Sequence, residues 1–87
     1  MSSSISQIKQ LVEHIGQQAT STAGQLLQLA ANLEKNIATV NSTIGGTSSG
    51  EDKDMMEALY QASQAVRGAS GSLQVAADAA KEWARNA

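Results

Sequence analysis

Gly45-Gly46-Thr47-Ser48-Ser49-Gly50 is the one stretch of this 87-residue chain made wholly of turn formers. Glycine costs a helix interior about 1 kcal/mol per residue, so a continuous helix is not expected to cross this segment. Ser48 followed by Glu51 has the form of a capping box, and Asp52 and Asp54 place negative charge where a new helix begins. The segment therefore reads as a hinge between two helices.

Upstream of the hinge, Ser4 with Gln7 gives a second capping pattern. Apolar or small residues then fall at Ile5, Ile8, Val12, Ile15, Ala19, Thr22, Leu26, Leu29 and Leu33, in alternating steps of three and four. Such spacing marks a helix packed along its length on a neighbour. After Leu33 the pattern skips Asn36 and resumes at Ile37, Val40 and Ile44, which reads as a one-step phase shift. Downstream, Met55, Leu59, Ala62, Val66, Ala69, Leu73, Ala76, Ala80, Trp83 and Ala87 repeat the alternation. The expected fold is all-α, a single antiparallel two-helix hairpin over residues 1–87. Its helices are placed near 4–44 and 51–85, with the turn at 45–50 and pairing into a four-helix bundle expected.

Composition narrows the function. With no Cys and one His, the chain has neither disulfides nor a thiolate metal site, and no cofactor or metal is expected. The net charge is -2 and the basic residues are scattered, so nucleic acid is an unsuitable partner. No apolar run approaches the roughly 18–20 residues needed to span a bilayer. Met1-Ser2-Ser3-Ser4-Ile5 lacks the charged start and apolar stretch of a secretory leader, so a cytoplasmic chain is expected, or one secreted without a cleaved signal peptide.

Small residues recur every seven positions beside both helical patterns. On helix 1 they are Gly16, Ala23 and Ala30, followed by Ile37. On helix 2 one flank is Ala58, Ala65, Ser72 and Ala79, and the other is Met56, Ser63, Ser70, Ala77 and Ala84. An apolar-to-small face this wide exceeds what one hairpin buries, and a chain of this size without staples gains from association. Between Glu13 and Glu34 there is no charged residue except His14, and between Glu57 and Asp78 only Arg67. The expected partner-binding residues are accordingly Gly16, Ala23, Leu27, Ala30, Ala58, Ala65, Ser72 and Ala79.

Catalytic chemistry is not expected. His14 stands beside Glu13 away from the apolar pattern. The acids Glu51, Asp52, Asp54 and Glu57 lack the alternating 12-residue loop of a calcium site and are explained by the helix dipole. Gly45-Gly46 is followed by no Lys-Ser or Lys-Thr pair that would cradle phosphate. Gly16, Gly24, Gly68 and Gly71 weaken the helices by about 3–4 kcal/mol in total relative to Ala. Close helix contact is the expected reason for them.

A Cys-free, Pro-free hairpin with an uncharged waist resembles the WXG-type helical-hairpin family of type VII secretion, in particular its divergent members encoded beside exported toxins of Gram-positive bacteria. The family's Trp-x-Gly belongs in the turn, where this chain has Ile44-Gly45-Gly46-Thr47. Its export signal, Tyr-x-x-x-Asp/Glu, would need an acid where Tyr60 is followed by Gln64 and Trp83 by Ala87. Trp83 is the candidate export-signal aromatic, weighed against a core residue at the end of the helical pattern. The resemblance implies a chaperone-like or adaptor role and dimers that form four-helix bundles. Its implied partners are a second copy, a sister hairpin, or the helical N-terminal segment of a larger toxin. A self-assembling needle-like subunit and a toxin-masking binder are the alternatives.

Overall fold

The computed structural model describes residues 2–44 and 50–87, with the side chains of residues 2, 3, 44 and 52 set aside. Helix α1 spans Ser2–Ile44 and helix α2 spans Gly50–Asn86. They pack on each other as a hairpin, and no strand occurs among the described residues. The molecule is a rod with Cα extents of 69 × 15 × 14 Å. Helix α1 begins two residues before the expected Ser4 cap, so Ser4 lies inside the first turn and does not cap it. Gly50, assigned to the turn from sequence, is the first residue of α2. The rest of the turn, including Ser48 and its expected cap, lies outside the described residues.

Small side chains, not bulky ones, hold the two helices together. The buried residues are Gly16, Ala23 and Ala30 on α1, and Ser63, Ser70, Ala77 and Ala84 on α2. Each set has a seven-residue spacing, so each forms one stripe along its helix. The stripes meet in antiparallel register. The Gly16 backbone lies where an added Cβ would come 3.3 Å from the Ala77 carbonyl oxygen. One heptad on, the Ser70 hydroxyl donates to the Ala23 carbonyl across 2.8 Å. A side chain as short as Ser can bridge to the opposite backbone only where the helices run close. That hydroxyl is buried and satisfied, as a buried polar group must be. Half-buried residues flank the seam: Val12, Ala19, Leu26, Leu33 and Val40 on α1, with Leu59, Val66, Leu73 and Ala80 on α2.

The sequence-derived core is therefore half right. Val12, Ala19, Leu26 and Leu33, with Leu59, Val66, Leu73 and Ala80, do border the seam. The alternate members are exposed: Ile5, Ile8, Ile15, Thr22 and Leu29 on α1, and Met55, Ala62, Ala69, Ala76 and Trp83 on α2. The stripe that faces α2 is the neighbouring one. Followed along α1, it steps Val12, Gly16, Ala19, Ala23, Leu26, Ala30, Leu33, Ile37 and Val40 without interruption. The phase shift expected after Leu33 does not exist; Ile37 continues the stripe of Gly16, Ala23 and Ala30.

Candidate functional site

The seam divides the surface of the rod into two long faces with opposite chemistry. Because α1 and α2 are antiparallel, residues one place before each small stripe fall on the same side of the hairpin. One place before Gly16 and Ala30 stand Ile15 and Leu29; one place before Ser63, Ser70, Ala77 and Ala84 stand Ala62, Ala69, Ala76 and Trp83. Four residues after Gly16, Ala30, Ser63 and Ala77 come Thr20, Glu34, Arg67 and Lys81, which share the other side.

That second side is polar and bridged. Glu34 accepts two hydrogen bonds from Arg67, at 2.8 Å from Nε and 2.7 Å from Nη2, and a third at 2.7 Å from the Ser63 hydroxyl. The Arg67 guanidinium is the main reason the Glu34 carboxyl is held at about 2, below its ordinary 4.5, with Ser63 contributing next. Glu34 reciprocally raises Arg67, through the same hydrogen bonds and then through charge. Lys81 reaches the Thr20 hydroxyl at 3.4 Å. Lys9, Glu13, Gln17, Lys81 and Arg85 line an open trough at the end far from the turn.

The first side is apolar and bears almost no charge. Its outer stripes carry Ile8, Ile15, Thr22 and Leu29, and then the polar Asn36 and Thr43, from α1, and Met55, Ala62, Ala69, Ala76 and Trp83 from α2. Between them lie the half-buried residues that border the seam. By heptad position, every described charged residue of α1, and every one of α2 from Lys53 onward, belongs to another part of the surface. Exposure of the large side chains here is substantial: Ile8 is 50% exposed, Ile15 51%, Leu29 46% and Trp83 47%. Scattered exposed Leu or Ile residues are ordinary on a protein surface, whereas a contiguous uncharged face along a rod is not.

The expected partner-binding residues separate into three groups on this framework. Gly16, Ala23 and Ala30 are already covered by α2, so their surface is not available to a partner. Leu27 is exposed, but it shares the polar side with Thr20 and Glu34. Ala58, Ala65, Ser72 and Ala79 are exposed at the outer margin of the apolar face. Trp83 lies on that face and not in the hairpin core, which corrects the reading of it as an end-of-core residue. Sequence reasoning missed Ile8, Ile15, Leu29 and Met55 as surface candidates because it spent them on the internal seam. The glycines divide similarly. Gly16 makes the close contact expected of it, while an added Cβ at Gly24, Gly68 or Gly71 would meet nothing within 4 Å.

Among the described residues no helix is long and apolar enough to cross a membrane, and no group of three His, Cys, Asp or Glu could hold a metal ion. No family model matches the chain, and neither a curated protein nor a solved structure does.

Proposed function

We propose that this chain is a non-enzymatic helical partner protein that docks another helical protein on its apolar face. The docked unit would be a four-helix bundle of two hairpins, or of this hairpin and a helical pair from a larger chain. The observation that carries this reading is the uncharged face with Ile15, Leu29 and Trp83 about half exposed. Exposed apolar surface is stabilised on burial by about 25 cal/mol per Å2, so a partner that covers the face gains from doing so. A helix pair fits because the face is built from stripes of both α1 and α2 along the rod, and an amphipathic helix lays its own apolar stripe against such a surface.

Catalysis has little support here. His14 is exposed, and the trough lined by Lys81 and Arg85 is an open surface feature without a nucleophile paired to a base. The resemblance to type VII secretion hairpins suggests a cellular setting. In that setting the chain acts as an adaptor or chaperone-like escort for a toxin or a sister hairpin, in the cytoplasm or along an export route. Trp83 then has two uses, as part of the docking face and as the aromatic half of an export signal whose acid comes from the partner.

The test is copurification from the native host with identification of the captured chain. Wild-type protein is compared with Ile15→Asp on the apolar face and with Gln64→Asp on the polar side. The expected result is a helical partner held by wild type and by Gln64→Asp, and lost from Ile15→Asp. Equal capture by all three would reject the apolar face as the docking surface.

A further inference from the structure

The seam that joins α1 to α2 repeats every seven residues, so its packing alone does not choose one register. In the structure Gly16 packs against Ala77, and the Ser70 hydroxyl reaches the Ala23 carbonyl. The same spacing sets Ala30 against Ser63 and Ile37 against Met56. Sliding α2 one heptad toward the turn sets Gly16 against Ala84, Ala23 against Ala77, Ala30 against Ser70 and Ile37 against Ser63. Small residues still meet small residues along the stripe. The Ser70 hydrogen bond survives too, because the Ala30 carbonyl takes the place of the Ala23 carbonyl and every residue offers one.

The turn permits this slide. Counting from the contact of Ala23 with Ser70 places Ile44 and Gly50 at about one level. A one-heptad slide is about 10.5 Å and helix axes lie about 8–10 Å apart, so the two ends become roughly 15 Å apart. The chain from Ile44 to Gly50 reaches about 20 Å when extended.

One contact belongs to the observed register alone. Glu34 accepts from Arg67 Nε at 2.8 Å, from Arg67 Nη2 at 2.7 Å and from the Ser63 hydroxyl at 2.7 Å. Charged, two-pronged hydrogen bonds of this kind are strong and demand a fixed geometry. After the slide Arg67 faces Asn41 and Glu34 faces Gln74, so the ion pair is gone. Lys81 leaves the Thr20 hydroxyl, a long 3.4 Å contact, and faces Leu27. Partly exposed ion pairs add little to total stability. Between two registers matched in packing, however, a contact made by only one of them decides.

We infer that Glu34, Arg67 and Ser63 form a latch that selects one of two registers open to the hairpin. The latch also fixes the layout of the apolar face. Its release carries Trp83 about 10.5 Å along that face, so the two registers present different surfaces from one chain. The latch is independent of what docks there.

The chain has no cysteine, so introduced pairs can trap each register as an intramolecular disulfide. A Cβ added at Gly16 would lie 3.4 Å from Ala80 Cβ, close to the spacing within a disulfide. One heptad on, Ala23→Cys with Leu73→Cys reports the observed register, and Ala23→Cys with Ala80→Cys reports the slid one. Ala23→Cys with Val66→Cys reports a slide in the opposite sense. Each pair is equilibrated in a glutathione redox buffer at sub-micromolar chain, with and without Glu34→Ala, and intramolecular links are scored by mass spectrometry. With the latch intact, the observed-register pair is expected to link and the other two to stay reduced. Loss of a hydrogen bond to a charged group shifts such an equilibrium about tenfold, so Glu34→Ala should raise the slid-register link by about that factor. Exchanging the charges, Glu34→Arg with Arg67→Glu, should return it to the starting level. Arg67→Ala repeats the release in case Glu34→Ala loses helix, which circular dichroism detects. A slid-register link that neither variant raises overturns the latch. An equal rise in the opposite-slide link overturns it as well, because it marks general loosening and not a second register.

Discussion

Replacing Gly16 by Ala should fail to stabilise the hairpin, although the same change at Gly24 should succeed. In an open helical position, Gly→Ala gains about 0.8–1 kcal/mol, because glycine loses more backbone entropy on folding. Gly24 is such a position, since a new methyl there meets nothing within 4 Å. At Gly16 the methyl would come 3.3 Å from the Ala77 carbonyl oxygen, 3.4 Å from Ala80 Cβ and 3.5 Å from Lys81 Cγ. The first two belong to helix backbone and to a side chain with no rotamer to change, so relief requires the helices to part by a few tenths of an ångström. Parting them loosens the Gly16, Ala23 and Ala30 seam along its length and stretches the 2.8 Å bond from Ser70 to the Ala23 carbonyl. Overpacking of a close contact costs about 1–3 kcal/mol, which cancels or exceeds the helical gain. Gly24→Ala should then melt about 4–8 °C above wild type, and Gly16→Ala at or below it. Thermal and urea unfolding followed by circular dichroism, at one fixed protein concentration, measures both. Neither residue lies on the apolar face, so self-association affects the two variants alike. An equal rise in melting temperature at Gly16 and Gly24 would refute the close-packed seam.

Further outcomes follow from the same geometry. Ala77→Leu, at a fully buried position, should cost about 1–3 kcal/mol or more in urea unfolding, whereas Gln64→Leu at an exposed one on the polar side should change it by less than about 0.5 kcal/mol. Ser70→Ala should cost about 1 kcal/mol through loss of the hydrogen bond to Ala23, with no change in helix content by circular dichroism. The Glu34 carboxyl is depressed in the fold, chiefly by the hydrogen bonds from Arg67, so its stabilising effect is complete above about pH 4.5. It is lost as the pH falls toward about 2, so the melting temperatures of wild type and Glu34→Gln should converge across that window and stay apart at neutral pH.

How much of this was legible in the sequence depends on what each residue had to announce. The glycine-rich break at 45–50 fixes the hairpin because glycine acts locally, through the backbone, and needs no knowledge of neighbours. The choice between adjacent stripes is not local. Ile8, Ile15 and Leu29 look like a core because they are bulky, yet the hairpin buries Gly16, Ala23 and Ala30, since small side chains allow closer backbone approach. A clue was present: Ile37 stands seven residues beyond Ala30, so the apparent slip after Leu33 marked the true seam. Gly24, Gly68 and Gly71 resisted reading for the opposite reason. Their composition resembles that of Gly16, and only the position of the second helix separates a tight contact from open space. The excess of apolar surface is legible in the sequence, but the face that carries it is located only once the seam is placed.

Trp83 is the only tryptophan in the chain and lies on the apolar face, 47% exposed in the hairpin. Its fluorescence therefore reports directly on whether that face is covered. From nanomolar to tens of micromolar chain, or on addition of the helical partner, the account predicts a blue-shifted emission and a several-fold fall in acrylamide quenching. Ile15→Asp should suppress both changes. Trp83 that stays as open to quencher at every concentration, and with every helical partner supplied, would contradict a face built for docking.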